Sequence, residues 1–383
     1  MFSNTEIAFR NKTDDELKKA YRLFKMMNSN FLVNIGPKLI NIALKLHLPV
    51  KRWIKKTIFN HFVGGESLSD AQHTIEKLYQ YNVKTILDYS VEGTKNEEGF
   101  EQTKKEIIKS LEFAQGRKEI LFGVVKITGI GAEKVLEHYT PQNNLYKLEF
   151  EKIRQRLVEI CETAKRVQVP IFIDAEHSWF QDNIDRLAEE MIAIYNKEKP
   201  LVYTTLQMYR WDRLDYLKKQ YEKAKAEGYI FAAKLVRGAY MEIENERAAA
   251  MGYPSPIQKS KEDTDRDYNL ALTFCIEHIE NIAVCVATHN EESSLLAAQL
   301  IEKYHLPHDH PHICFSQLLG MSDHISYNLA NQGYTTAKYL PYGPVEAVLP
   351  YLFRRAKENT SVAGQSSREF ELIKQELKRR QLH

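Results

Sequence analysis

The sequence predicts an α/β fold, a (βα)8 TIM barrel with an N-terminal helical arm. Two observations predict it. Eight short β-branched or aromatic runs lie between residues 83 and 342, and longer stretches with helical spacing of apolar residues separate them. The runs are almost continuously apolar, as parallel strands buried on both faces are, and nearly all end in a polar side chain. Such alternation without an interior linker closes into a barrel of about 300 residues.

The strands are expected over 83–89, 119–128, 169–175, 200–209, 229–238, 281–290, 312–317 and 333–342. The clearest helices are 98–115, 145–168, 212–228, 291–305 and 345–359. The third of them ends on Gly228, a residue type that leaves a helix in the left-handed conformation at no steric cost. Residues 1–60 read as a basic helical arm, 61–365 as the catalytic barrel and 366–383 as a helical tail. Gly129 and Gly131 open a dinucleotide-type glycine pattern, but Lys134 stands where its third glycine belongs, so a Rossmann site is not expected.

Of the 383 residues, 43% are hydrophobic and 27% charged, a composition that excludes disordered and low-complexity classes. Cys161, Cys275, Cys285 and Cys314 form no CxxC pair, which argues against a zinc ribbon or a disulfide framework and suits a reducing compartment. The start of the chain has no apolar stretch behind a basic one, and no run approaches the roughly 18 apolar residues of a membrane span. A cytoplasmic location is expected. Charge is uneven: residues 1–60 hold 12 Lys or Arg against 4 acids, a net +8, which leaves −6 on the remainder of a +2 chain. Residues 31–60 interleave apolar side chains with Lys38, Lys45, Lys51 and Arg52. Such a segment either lies on an anionic membrane surface with its lysines reaching the head groups or packs on the barrel flank. The first option makes the protein peripheral at the inner face of the membrane.

A barrel places its active site at the C-terminal ends of its strands. Those ends carry Asp88, Lys126, Asp174, Gln207, Lys234, Arg237, Tyr240, Thr288, His289, Gln317 and Tyr339. Lys126 follows LFGVV and Asp174 follows PIFI, so each is desolvated on one side and needs a partner; a structural ion pair and a chemical role both satisfy that need. Arg354, Arg355 and Glu358 share one face of the last barrel helix. They are either a solvated face or a two-guanidinium clamp for a carboxylate, and the YLPYGP turn directly after the eighth strand places them on the catalytic side. Lys234, Arg237, Gly238 and Tyr240 combine two cations, a glycine and an aromatic, a set that suits phosphate or an anionic ring. His305, His308, His310 and His312 crowd a loop that enters the seventh strand from the opposite end, where a solvated loop is the better reading and no metal site is expected.

Four blocks together carry a resemblance: KLVRGAYMEIENERA (234–248), ATHN (287–290), FSQLLGM (315–321) and KYLPYGPVEAVLPYLFRRAKEN (338–359). They make the chain similar to the proline dehydrogenase family, and to its eukaryote-type single-function branch more than to the long bifunctional bacterial enzymes. The likeness runs from about Phe62 to Asn359. It implies a distorted (βα)8 barrel with non-covalent FAD, oxidation of L-proline to Δ1-pyrroline-5-carboxylate, and electrons passed to a membrane quinone. Carried over by position, Lys126, Arg354 and Arg355 match the residues that bind the substrate carboxylate. Asp174 matches an acid near the substrate amine and the flavin, and Leu235, Tyr240 and Tyr339 match the side chains on the pyrrolidine ring. Glu66, in HFVGGES, matches a glutamate that closes over the site by pairing with the first arginine, and Glu358 orients the guanidiniums. Ala175, Gln207, Lys234, Arg237, Gly238, Ala239, Thr288 and His289 match flavin contacts.

Asp174, Lys234 and Tyr339 are the catalytic candidates. Many bacterial members exchange the two cations at 234 and 237, so the flavin contacts made by Lys234 and Arg237 differ in detail from theirs. A hydride leaves the carbon beside the ring nitrogen, and the protein supplies position and charge. The amine proton goes to Asp174 or to water; the residues leave both open. Hydroxyproline dehydrogenase is the nearest rival; the resemblance implies that a tyrosine at the position of Tyr339 fills the space of a 4-hydroxyl, which favours proline. A non-catalytic membrane- or nucleic-acid-binding barrel rests on the basic arm alone, and no nucleic-acid partner is expected.

Overall fold

The structure, a computed structural model, describes residues 1–27, 50–91, 96–142, 144–361 and 365–382. The eight strands are β1 (Val83–Tyr89), β2 (Ile120–Val125), β3 (Ile171–Ile173), β4 (Val202–Gln207), β5 (Phe231–Val236), β6 (Ile282–Ala287), β7 (Ile313–Leu318) and β8 (Thr336–Tyr342). They form a closed barrel in sequence order, and the ladders are parallel. The fold class is therefore the one that the alternating pattern predicts.

The observed strands are mostly shorter than the apolar runs, for local reasons. β2 stops at Val125 because Lys126 takes the N-cap position of a short helix, Ile127–Ile130. β3 begins only after Pro170, which lacks an N–H but whose carbonyl accepts from Gly123 N at 2.9 Å. Past β3, Asp174 N still donates to Val125 O at 2.9 Å before the chain turns away.

The helices, in chain order, are α1 (Asp14–Met27), α2 (Leu68–Tyr79), α3 (Glu97–Ala114), α4 (Lys147–Val167), α5 (Ser178–Tyr195), α6 (Arg213–Glu227), α7 (Met241–Met251), α8 (Lys261–Glu277), α9 (Glu291–Lys303), α10 (Asp323–Asn331), α11 (Leu349–Ser361) and α12 (Gln365–Arg379). Helices of three to six residues join some of them. Gly228 ends α6 in the left-handed region (φ +67°), its N–H bonded to Ala224 O. α5, α7, α8 and α10 escape the sequence reading because buried polar side chains such as Asn183, Asp185, Glu244, Asp267 and Asn328 break their apolar stripes.

The chain divides into two compact units, residues 1–92 with 317–383 and residues 93–316. In the first unit, α1 packs on α12: Leu17, Ala20 and Phe24 meet Leu372 and Ile373, and Tyr21 stacks on Phe370 at 5.0 Å. Arg380 binds the carbonyls of Phe9 and Lys12 and the carboxylate of Asp14. A buried knot fixes the same end of the chain. Asp323 accepts from Lys12 at 2.9 Å and from the fully buried Lys338 of β8 at 2.8 Å, and Lys338 also donates to Met321 O at 2.5 Å. Burial alone would raise the Asp323 pKa; the two ammonium groups override it and hold the carboxyl well below its usual range. Glu369 of α12 adds a bond from Ser322 N at 2.6 Å.

Of the basic arm, residues 28–49 lie outside the described residues. Residues 50–62 are helical with a π turn over Lys55–Phe59, and Ile54, Phe59 and Phe62 are buried with Tyr351 and Leu352 of α11. His61 turns Nε2 to Gly320 O at 2.9 Å, which makes that nitrogen the N–H donor. Among the described residues no helix is long and apolar enough to cross a membrane.

Burial, aided by the charge of Lys12, pushes the His61 pKa down from 6.5 to about 4. The unfolded chain takes up this proton near pH 6.5 and the folded chain only near 4, so acidification across that window favours unfolding. In His61→Gln the bond to Gly320 O survives and the titration is gone. The denaturation midpoint of the wild type should then fall more steeply between pH 6.5 and 4 than that of the variant; parallel slopes would refute the assignment.

Candidate active site

Parallel strands all end on one side, so every strand-end side chain of the barrel faces the same way out. In the second unit these ends build an ionic cluster. Asp174, just past β3, accepts from Lys234 Nζ at 2.5 Å through Oδ1 and faces Lys126 Nζ at 3.9 Å through Oδ2. Lys234 lies two residues inside the end of β5, in register with Cys285 of β6, and its side chain is only 5% exposed. Its ammonium also stands 4.8 Å from the ring centre of Phe172, a cation–π contact that offsets part of its desolvation. Lys126 is the more open partner, with 22% exposure. Lys126 and Asp174 are thus an ion pair, and it sits at the C-terminal ends of the strands.

A second group forms beside it. Arg237 donates from Nε to Asp265 at 2.7 Å, from Nη1 to Thr288 Oγ1 at 2.7 Å and from Nη2 to Ser293 Oγ at 3.0 Å, with its guanidinium 4.4 Å from the Tyr268 ring centre. The fork has two further N–H groups to offer. Gln207 closes β4 and is buried. Gly238 and Ala239 are exposed, and Gly238 has φ +131°. A Cβ there would meet the Tyr209 ring at 2.5 Å, so this position demands glycine for an internal reason: Tyr209 lies flat over its backbone.

Tyr339, Arg354, Arg355, Glu358 and Glu66 belong to the first unit, and Leu235, Tyr240, Ala175 and His289 to the second. Tyr339 sits on β8 opposite Ile86 of β1 and is buried, while Leu319 N donates to its carbonyl at 3.0 Å. α11 carries Arg354, half-buried, and Arg355, buried with its guanidinium 5.1 Å from the Tyr351 ring centre. The side chain of Glu358 lies outside the described residues. Glu66 pairs with Lys55 of the π turn. Leu235 is fully buried on β5, and Tyr240 precedes α7 with its ring 4.4 Å from that of His177. Ala175 and His289 are half-buried next to their strand ends. In the loop before β7, His312 Nδ1 meets Ile279 O at 2.8 Å and His308 faces Glu302 at 2.5 Å. No group of three metal-ligating side chains occurs among the described residues.

Sequence reasoning overlooked Asp265 and Ser293, which hold Arg237, and two buried glutamates, Glu176 and Glu244. A carboxylate two residues after Asp174 and another four residues after Tyr240 were the available signals.

Comparison with known proteins decides the family. The profile described as "Proline dehydrogenase" matches residues 71–368. The chain belongs to the proline dehydrogenase family. It is an oxidoreductase by that membership. "Proline dehydrogenase 1, mitochondrial" of Dictyostelium discoideum is 32% identical over 426 residues, covering 98% of this chain and 74% of that protein. The Homo sapiens protein of the same name is 41% identical over 252 residues, covering 65% of this chain and 41% of that protein. The fold matches a crystal structure of proline utilization A from Bdellovibrio bacteriovorus with a TM-score of 0.73 at 21% identity, over 93% of this chain and 38% of that one. The motif-based resemblance and the family match agree.

The cluster's geometry orders the stabilities of two variants. Lys234→Met removes a buried, hydrogen-bonded partner of Asp174 and should cost about 1–3 kcal/mol. Lys126→Met removes a longer, more exposed contact and should cost less than about 1 kcal/mol. Denaturant midpoints in the reverse order would contradict the geometry.

Proposed function

We propose that this chain oxidises L-proline to Δ1-pyrroline-5-carboxylate, with FAD as its bound cofactor and a membrane quinone as the final electron acceptor. The observation that carries the reading is the family match over 71–368, the stretch that supplies the ionic cluster at the ends of β2, β3 and β5. The donor set suits the cofactor. A dinucleotide needs cations and N–H groups for its phosphates and mixed donors for its ring, and Lys234, Arg237, Thr288, Gln207 and the exposed backbone at Gly238 and Ala239 offer them. FAD would be held by these residues with Ala175 and His289. When bound, it supplies the two-electron acceptor that no side chain provides.

The other roles fall to the chain's own residues. Lys126, Arg354 and Arg355 take the carboxylate-binding role, Glu66 and Glu358 orient guanidiniums, and Leu235, Tyr240 and Tyr339 pack on the ring. Asp174 sits at the amine. Its carboxylate, held by two lysines, can accept a hydrogen bond from the amine, whose proton passes to Asp174 or to water. Because the acceptor is a membrane quinone, the protein works against a membrane face, and the basic arm is the segment suited to anionic lipid.

Anaerobic L-proline should bleach the flavin of FAD-loaded protein, and trans-4-hydroxy-L-proline should do so far less, because Tyr339 occupies the room of its hydroxyl. Arg354→Met and Arg355→Met should each weaken proline and its ether-oxygen ring analogue in parallel, by about tenfold to about a hundredfold. Folded, FAD-loaded protein whose spectrum ignores proline would overturn the proposal. Variants that bind the analogue as tightly as wild type would overturn the carboxylate assignment.

A further inference from the structure

Two buried glutamates repeat one arrangement in the second unit. Glu176, two residues after Asp174, accepts from Thr128 N at 3.0 Å and from Thr128 Oγ1. Glu244, in the first turn of α7, accepts from Ser178 N at 2.8 Å and from Ser178 Oγ at 2.5 Å. In each case both oxygens of one carboxylate take the backbone N–H and the hydroxyl of one residue in the first turn of a helix that follows a neighbouring strand. The two clasps run in series. Glu176 ties the β3 loop to Thr128, two residues beyond Lys126, and Glu244 ties α7 to the start of α5, four residues beyond Asp174. Glu244 N also donates to Tyr240 O at 2.9 Å, and His177, beside Ser178, carries the ring that meets Tyr240.

Burying carboxylates is costly, and stability alone does not require it, since apolar side chains of similar volume fill such space at less cost. What an apolar residue cannot do is fix one loop against the next through two directional bonds. Glu176 shows the cost, its pKa raised by burial. For Glu244, burial acts the same way, but the nearby His177 ring, 3.8 Å away, and the bonds from Ser178 override it and the pKa falls.

We propose that Glu176 and Glu244 are positioning residues for the substrate side of the site: Glu176 sets Lys126, and Glu244 sets Tyr240. This rests on the proline reading for the roles of Lys126 and Tyr240, whereas the clasps themselves stand on geometry alone.

The test separates shape from charge. Glu176→Gln and Glu244→Gln keep both bonds, because the amide oxygen accepts from the backbone N–H and the amide N–H donates to the hydroxyl oxygen. Glu176→Met and Glu244→Met keep length and lose both. For the Met variants, KM for L-proline should rise by about tenfold to about a hundredfold, with a smaller change in kcat and unchanged flavin content. The Gln variants should stay within about threefold of wild type on the same scale, the misplacement being absent. Thr128→Val and Ser178→Ala, which each remove one bond of a clasp and serve where a Met variant fails to fold, should fall between. Amide hydrogen exchange gives a readout independent of proline. The Thr128 N–H should lose protection in Glu176→Met and the Ser178 N–H in Glu244→Met, and both should keep it in the Gln variants. Gln variants as impaired as Met variants, or Met variants with wild-type KM, would overturn the proposal. If wild-type protein ignores proline while the exchange pattern holds, the clasps stand as loop-fixing devices and it is the proline reading that fails.

Discussion

A carboxylate between two ammonium groups organises the open end of the barrel. Asp174 follows the shortest strand, β3, and its oxygens face Lys234 of β5 on one side and Lys126, just past β2, on the other. None of these charges would be tolerated alone beside apolar strands. Together they stand because the parallel sheet lays β2 to β5 down in sequence order, with their C-terminal ends on one side. The interaction thus ties fold to position: the same sheet that buries the apolar strand bodies sets a fixed carboxylate and two cations at its C-terminal ends.

The first unit uses the same device for another end. Asp323 also lies between two lysines, Lys12 and Lys338, but this group is buried away from the strand ends, next to Glu369. It secures the N-terminal and C-terminal helices to β8 and α10. Similar chemistry therefore serves two purposes, and position along the strand distinguishes them. Lys338 lies in the middle of β8, where a cation serves packing, whereas Lys126 follows the last residue of β2, where it faces outward.

The fold was legible because its signal is global. Eight apolar runs with helical stretches between them survive errors of several residues at each boundary, such as the trimming of 169–175 to Ile171–Ile173. Strand-end residues were legible for the same reason, since the end of an apolar run is visible in a string. Contacts across loops were not. Nothing in the spacing of Asp174 and Lys234, sixty residues apart, announces a hydrogen bond, and the motif resemblance named them without pairing them. Glu176 and Glu244 were missed because the bonds that hold them come from a backbone N–H and a hydroxyl, which no spacing of charges announces. The pairing of Glu66 with Lys55 was equally invisible, since it depends on a π turn that no propensity scale marks.

Asp174 and Lys234 act as one unit, and a double-mutant cycle measures their coupling. Denaturation free energies would be measured for wild type, Asp174→Asn, Lys234→Met and the double variant. A coupling energy of about 1 kcal/mol or more is expected, because removing either partner already forfeits the shared bond. Strictly additive losses would mean that the two residues do not sense each other, and the ionic cluster could not be the organising interaction of the site.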